Sequence, residues 1–192
     1  MSVTVEKCMQ AWTNSLKQMN AKADIVFFGD SLTYYGDFAS EFPDKVVCNL
    51  GLRGDTIQGM IDRVEQVRML EPENIYLMTG INDLITITTQ KFEKQYSSLI
   101  HTIREVLPKS ELIIQGLLPV NDIDFAIKCS NKEVIKFNKI ILKIAETYNL
   151  CYLDLFSIYA MDGILNKEYT FDGIHLKKDV YKKWYIALKA NI

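Results

Sequence analysis

The chain has 192 residues, 48% of them apolar, and a formal charge of −2. That length suits one domain, 1–192, with a sizeable core of its own, and the near-neutral balance gives no electrostatic reason for nucleic acid or an anionic membrane as partner. No stretch approaches the roughly 20 consecutive apolar residues of a membrane span.

The chain opens with Val5, Cys8, Met9, Trp12, Leu16 and Met19 at helical spacing, which predicts an amphipathic helix lying on the domain. It lacks the continuous apolar core and small-residue cleavage site of a signal peptide, so a cytoplasmic location is expected. The four cysteines, at 8, 48, 129 and 151, form no C-x-x-C pair and read as reduced packing residues, not as a disulfide frame or zinc site.

Short β-rich runs then alternate with stretches of period 3.6. Strands are predicted at 24–29, 45–50, 74–79, 111–116 and 151–155, and their near-continuous apolarity fits a sheet covered on both faces. Between them, Ile57, Met60, Ile61, Val64 and Val67 make one helical stripe. Phe92, Tyr96, Leu99, Ile100, Ile103 and Leu107 make a second, and Ile135, Ile140, Ile141, Ile144 and Ala145 fall in a third. A last amphipathic helix runs from about 177 to 190, its cluster Lys177, Lys178, Lys182 and Lys183 reading as a solvated face. This order implies a parallel sheet with right-handed crossovers in a three-layer α/β/α domain.

In such a sheet ligands bind beyond the carboxyl ends of the strands. The loops there read "GDSLT", "NLGLRGDTIQ" and "TGINDL", and "TFDGIHLKKD" precedes the last helix. Each has a plain local reading. Ser31 could be a helix cap, Gly51 and Gly54 turn residues, Asp55 with Gln58 a capping box, and Asn82 an Asx turn. Their conjunction on one rim points further. His101 sits on the polar side of a helical pattern, whereas His175 lies in a loop three residues after Asp172. A carboxylate so placed can fix the imidazole tautomer, leaving Nε2 to take a proton from a serine, which needs such a base. The N–H of Ser31, the N–H of Gly54 and the Asn82 amide could converge on an oxyanion.

These blocks, Gly29-Asp30-Ser31-Leu32, Gly54 in "GLRGDT", Gly80 and Asn82 in "GIND", and Asp172 and His175 in "DGIH", resemble those of the SGNH, or GDSL-type, hydrolases, in the family's order. "GLLP" (116–119) and "GDTIQ" are similar to the small intracellular platelet-activating-factor acetylhydrolase catalytic subunits and their bacterial relatives. The resemblance implies a flavodoxin-like fold with a five-stranded parallel sheet and a serine esterase that needs no metal or other cofactor. By the family pattern Ser31 is the nucleophile, Asp172 and His175 complete a triad, and Ser31, Gly54 and Asn82 form the oxyanion hole. Asp30 is given structural work in the turn. One departure is Arg53, which precedes Gly54 where a small residue is common, and which either lines the pocket or leaves for solvent. The G-x-S-x-G elbow of the other serine-esterase fold is absent.

The expected activity is hydrolysis of a short-chain ester, acetyl first, of a carbohydrate or other small alcohol. Activity should fall at acidic pH as His175 takes a proton. Leu32, Tyr34, Leu84 and Ile174 stand beside the motifs, where acyl-pocket walls and core packing are equal readings. The segment 117–131 would overhang the rim, its Asp122 and Asp124 offering hydrogen bonds to sugar hydroxyls or simply being solvated. A lysophospholipase or acyl-CoA thioesterase would use the same groups. A flavodoxin-like nucleotide binder lacks a supporting glycine-rich motif, and a non-catalytic interaction domain is the last alternative. The partner expected is a small-molecule ester, with a homodimer left open.

Overall fold

The computed structural model describes residues 22–190, so the amphipathic helix expected at the start, with Cys8, lies outside the described residues. Five parallel strands, β1 (Ile25–Gly29), β2 (Val47–Gly51), β3 (Asn74–Met78), β4 (Glu111–Gln115) and β5 (Cys151–Leu153), form one sheet in the order β2-β1-β3-β4-β5. The order reverses at β1, which pairs with β2 on one side and β3 on the other. At such a reversal the two neighbouring loops leave in opposite directions and open a crevice at the strand ends.

The central strands β1, β3 and β4 are largely apolar on both sides because both sides are covered, whereas the edge strands β2 and β5 are partly exposed. Val26, Phe28, Leu50, Ile75, Leu77, Leu112 and Ile114 face one core with the helices α2 (Ile57–Asp62), α3 (Val64–Leu70), α4 (Thr89–Val106) and α5 (Asn131–Thr147). Ile25, Phe27, Tyr76, Met78 and Ile113 face the other, with Leu155 and Tyr159 of α6 (Leu155–Tyr159) and Trp184 and Leu188 of α7 (Lys182–Lys189). On that second side Phe27 stacks between Phe38 and Tyr76, with ring centres 3.9 and 4.9 Å away. A short helix α1 (Ser31–Tyr34) follows β1, and a two-stranded ribbon, β6 (Ala160–Met161) with β7 (Ile164–Leu165), follows α6.

Several local expectations need correction. The stripe at 57–67 is two helices, broken at Arg63, whose side chain turns inward to polar partners described below. The cap of α2 is Thr56, which accepts from the Gly59 N–H. Asp55 is therefore not the cap; its carboxylate accepts from Arg63 instead, at 2.7 Å, and Gln58 bonds Asp62. Ile135 is exposed, because the buried face of α5 is set by Val134, Phe137, Ile141 and Ile144. The last stretch begins as a 3₁₀ turn, Lys178–Tyr181, before α7. Cys151 is exposed rather than packed, and Cys48, Cys129 and Cys151 are all free thiols. No helix among the described residues is long and apolar enough to cross a membrane.

Candidate active site

β1 delivers Gly29 to the rim, and the chain turns at once into α1. Asp30, fully buried, caps that helix by accepting from the Leu32 N–H at 2.9 Å. Ser31 is thus the first helical residue and not the cap, and its hydroxyl is left for other work. That hydroxyl meets His175 Nε2 at 2.8 Å. On the far side of the ring, Nδ1 lies 2.6 Å from Asp172 Oδ2. Ser31 and His175 stand 144 positions apart in sequence, and the sheet places both loops at one end.

The Asp172–His175 loop is rigidly built. Asp172 Oδ1 accepts from the N–H groups of Ile174 and His175, at 3.0 and 2.8 Å. Thr170 Oγ1 donates to the His175 carbonyl and accepts from the Gly173 N–H, at 2.8 and 2.9 Å. Gly173 has φ +90°, and a Cβ there would sit 2.9 Å from the Asn121 carbonyl, so the position needs glycine. Burial pushes the Asp172 carboxyl up, but hydrogen bonds from the His175 ring and the two N–H groups outweigh it and hold the group below the ordinary carboxylate range. An ionised Asp172 fixes the proton of the neutral ring on Nδ1 and leaves the Nε2 lone pair facing Ser31. Phe171 stacks on the imidazole at 5.7 Å and Tyr35 meets it edge-on at 5.6 Å.

Ser31 and His175 open onto a cleft of about 710 Å³. Gly54 and Asn82, from the loops after β2 and β3, line the same cleft. Gly54 has φ +73°, a conformation that strains any side chain. Asn82 spends one amide proton on the Asp55 carbonyl, 2.8 Å away, which ties its loop to that of Gly54 and leaves the second proton for a ligand. Arg53 and Ile174 also line the cleft, joined by Ile81, Ile85 and residues 126–129. Leu32 and Leu84 do not: each is packed in a core, 2% and 4% exposed. Tyr34 is exposed and packs edge-on against Tyr35. The ring beside the imidazole is Tyr35, one residue further on. Asp122 and Asp124 do not line the cleft either: Asp122 accepts from Asn131, and Asp124 from the Asn121 amide.

Beneath the rim lies a group that the sequence did not disclose. Arg63, 3% exposed, donates to Asp55 at 2.7 Å, to the Leu50 carbonyl at 2.9 Å and to the Gly29 carbonyl at 3.0 Å, with its guanidinium 4.4 Å from the centre of the Phe28 ring. One side chain thereby joins the end of β1, the end of β2 and the loop that holds Asn82. Burial pushes the guanidinium down and the Asp55 carboxyl up, and their contact opposes both. Asp83, also buried, accepts from the Ile57 N–H at 3.2 Å and is pushed up to about 6, chiefly by burial.

Asp30 is pushed up to about 7, again chiefly by burial, with Asp55 and Asp83 adding repulsion against the Leu32 N–H and Arg63. Among the described residues its Oδ2 has no hydrogen-bond partner. Because the folded pKa is the raised one, the folded chain holds a proton that the unfolded chain has released, and stability falls as pH rises from about 4 to about 7. Asp30→Asn keeps a capping oxygen and cannot ionise. Thermal unfolding of the two proteins should therefore show the variant gaining on wild type across that window and holding a constant lead above it. Parallel melting curves at every pH would refute the assignment.

Residues 27–183 match the GDSL-like lipase/acylhydrolase family. No curated protein matches the chain. Among solved structures, one described as a candidate platelet activating factor from Streptococcus pneumonia is similar at TM-score 0.84 and 21% identity, covering 100% of this chain and 99% of that one. A GDSL-like lipase from Bacteroides thetaiotaomicron is similar at TM-score 0.77 and 18% identity, over 95% and 96%. An acetyl xylan esterase is similar at TM-score 0.75 and 19% identity, over 88% and 98%. At these identities the three speak for the fold. The family match spans most of the chain and every residue of the cleft: the chain belongs to the GDSL-like lipase/acylhydrolase family and is an ester hydrolase.

Proposed function

We propose that the enzyme hydrolyses a short-chain ester, acetyl first, of a carbohydrate or other small alcohol, with Ser31, His175 and Asp172 as its catalytic triad. The observation that carries this reading is the unbroken relay from Ser31 Oγ through the imidazole to Asp172, with contacts of 2.8 and 2.6 Å. Ser31 Oγ attacks the carbonyl carbon as Nε2 takes its proton, and Asp172 stabilises the imidazolium. The negative charge gathers on the carbonyl oxygen, where the Ser31 and Gly54 N–H groups and the Asn82 amide donate. The imidazolium returns its proton to the leaving alcohol as the C–O bond breaks. A water, deprotonated by the same nitrogen, then releases the acid from Ser31.

The short acyl preference is supported by the absence of a large lid or tunnel-forming insertion in the sequence, and the acetyl xylan esterase offers a precedent on the same fold. It is tested by comparing acetyl and octanoyl esters of one alcohol, alongside acetylated sugars, phospholipids and thioesters, with a fluorophosphonate probe to report labelling at Ser31. Higher kcat/KM for acetyl and labelling confined to Ser31 are expected; a preference for octanoyl or for a thioester would replace the substrate reading.

Asn82→Ala removes a donor aimed at the transition state. A fall in kcat of about 100- to 1,000-fold is expected, larger than any change in KM. A loss confined to KM would mean that Asn82 binds the ground state equally well.

A further inference from the structure

The cleft carries a charge that ester hydrolysis alone does not require. Among the described residues that line it, the permanently charged side chains are Arg53 and Lys128, both cationic and both exposed. Neither forms an ion pair with a described carboxylate. None of the acids on the neighbouring loops lines the cleft: Asp172 bonds His175, Asp55 pairs with Arg63, and Asp122 and Asp124 bond the amides of Asn131 and Asn121. In a chain of net charge −2 the lining of this cleft thus holds two cations and no carboxylate, and a cleft with low-dielectric walls focuses the field of the charges that line it.

The cations are placed to act near the reacting atoms. Arg53 adjoins Gly54 and lies 5.7 Å from the centre of the Tyr35 ring, which itself meets the His175 ring at 5.6 Å. Tyr35 therefore holds the guanidinium at the reacting end of the cleft. Lys128 reaches the cleft from a different loop, 121–131. Much of the remaining wall, Ile81, Ala126, Ile127 and Ile174, offers a neutral polyol no side-chain hydrogen bonds.

We infer that the substrate is an anionic ester whose carboxylate or phosphate is read by Arg53 and Lys128. This rests on the proposed serine mechanism. Because that reading assigns a short acyl group, the charge belongs to the alcohol half. Arg53 supplies a planar fork that matches either anion, and Lys128 a mobile point charge.

The test uses three acetate esters: para-acetoxybenzoate, its neutral carboxamide, and a trimethylammonio-phenyl acetate. In the double variant Arg53→Gln, Lys128→Gln, the ratio of kcat/KM for the anionic to the neutral ester should fall about tenfold, as loss of two near charges from a partly solvated site implies. The cationic ester should gain relative to the neutral one. Added salt should erode the wild-type preference, and the charge-keeping pair Arg53→Lys, Lys128→Arg should retain most of it. An anionic-to-neutral ratio that is the same in wild type and the double glutamine variant overturns the inference. Ser31→Ala keeps the two readings apart: turnover that survives it overturns the serine mechanism, whereas Ser31-dependent turnover without charge preference overturns only the anion reading.

Discussion

Asp172→Asn is expected to lower kcat by about 10,000-fold while the protein still folds. The size of the effect follows from how both carboxylate oxygens are used. Oδ1 accepts two backbone N–H groups, so an asparagine keeps its carbonyl oxygen there and turns its amide toward Nδ1. An N–H facing Nδ1 requires a lone pair on that nitrogen, which moves the ring proton to Nε2. The imidazole then donates to Ser31 and cannot take its proton. Nitrogen NMR of His175 should report the tautomer directly, with Nδ1 unprotonated in the variant and protonated in wild type. Ser31→Ala and His175→Ala should each lose at least as much, and the double variant little more than either, because groups that act as a unit do not add. Additive losses, or an Asp172→Asn enzyme within tenfold of wild type, would remove these residues from the mechanism.

Arg63→Met should destabilise the fold by about 3–5 kcal/mol, the usual consequence of removing one partner from a buried ion pair. The loss leaves the Asp55 carboxylate without its cation and takes a donor from the Leu50 and Gly29 carbonyls. Activity should fall further than the folded fraction explains, since Gly29 precedes the Ser31 loop and Asp55 anchors Asn82. Denaturant unfolding measures the first effect, and kcat under fully folding conditions the second. The double change Arg63→Met, Asp55→Leu should recover part of the stability, because it no longer strands a buried charge. Equal stability of Arg63→Met and wild type would show the pair to be incidental.

The sheet was legible because its central strands are short apolar runs buried on two sides, and the runs at 24–29 and 74–79 end at the loops that carry Ser31 and Asn82. Ser31 and His175 could be brought together from sequence because only two histidines exist and one lies on a polar helical face. Indeed His101 is exposed, 3.5 Å from Glu105. Arg63 was hidden by its setting: an arginine between amphipathic turns reads as solvated, and only the break between α2 and α3 sends it inward. Asp55 was misread as a cap for the same reason, since a capping box and a buried ion pair begin with the same residue types. The pocket walls divided unpredictably. Leu32 and Leu84 went to the cores, Ile174 to the cleft, and Tyr34 to the surface with Tyr35 beside the imidazole, because a short helix rotates successive side chains by about 100° and sequence alone does not fix its phase.

The loop 121–131 is closed at both ends by side-chain clamps. Asn131 exchanges hydrogen bonds with both polar groups of Val120, Asp122 grips Asn131, and the Asn121 N–H donates to the Gly173 carbonyl. The stretch between the clamps supplies Ala126, Ile127, Lys128 and Cys129 to the cleft. Such an arrangement behaves as an interchangeable cassette: its interior can be rewritten to suit a new ester, while the frame at its feet keeps the loop of Gly173 and His175 in register. Directed evolution of specificity should therefore sample 126–128 and leave Asn121, Asp122, Asp124 and Asn131 untouched.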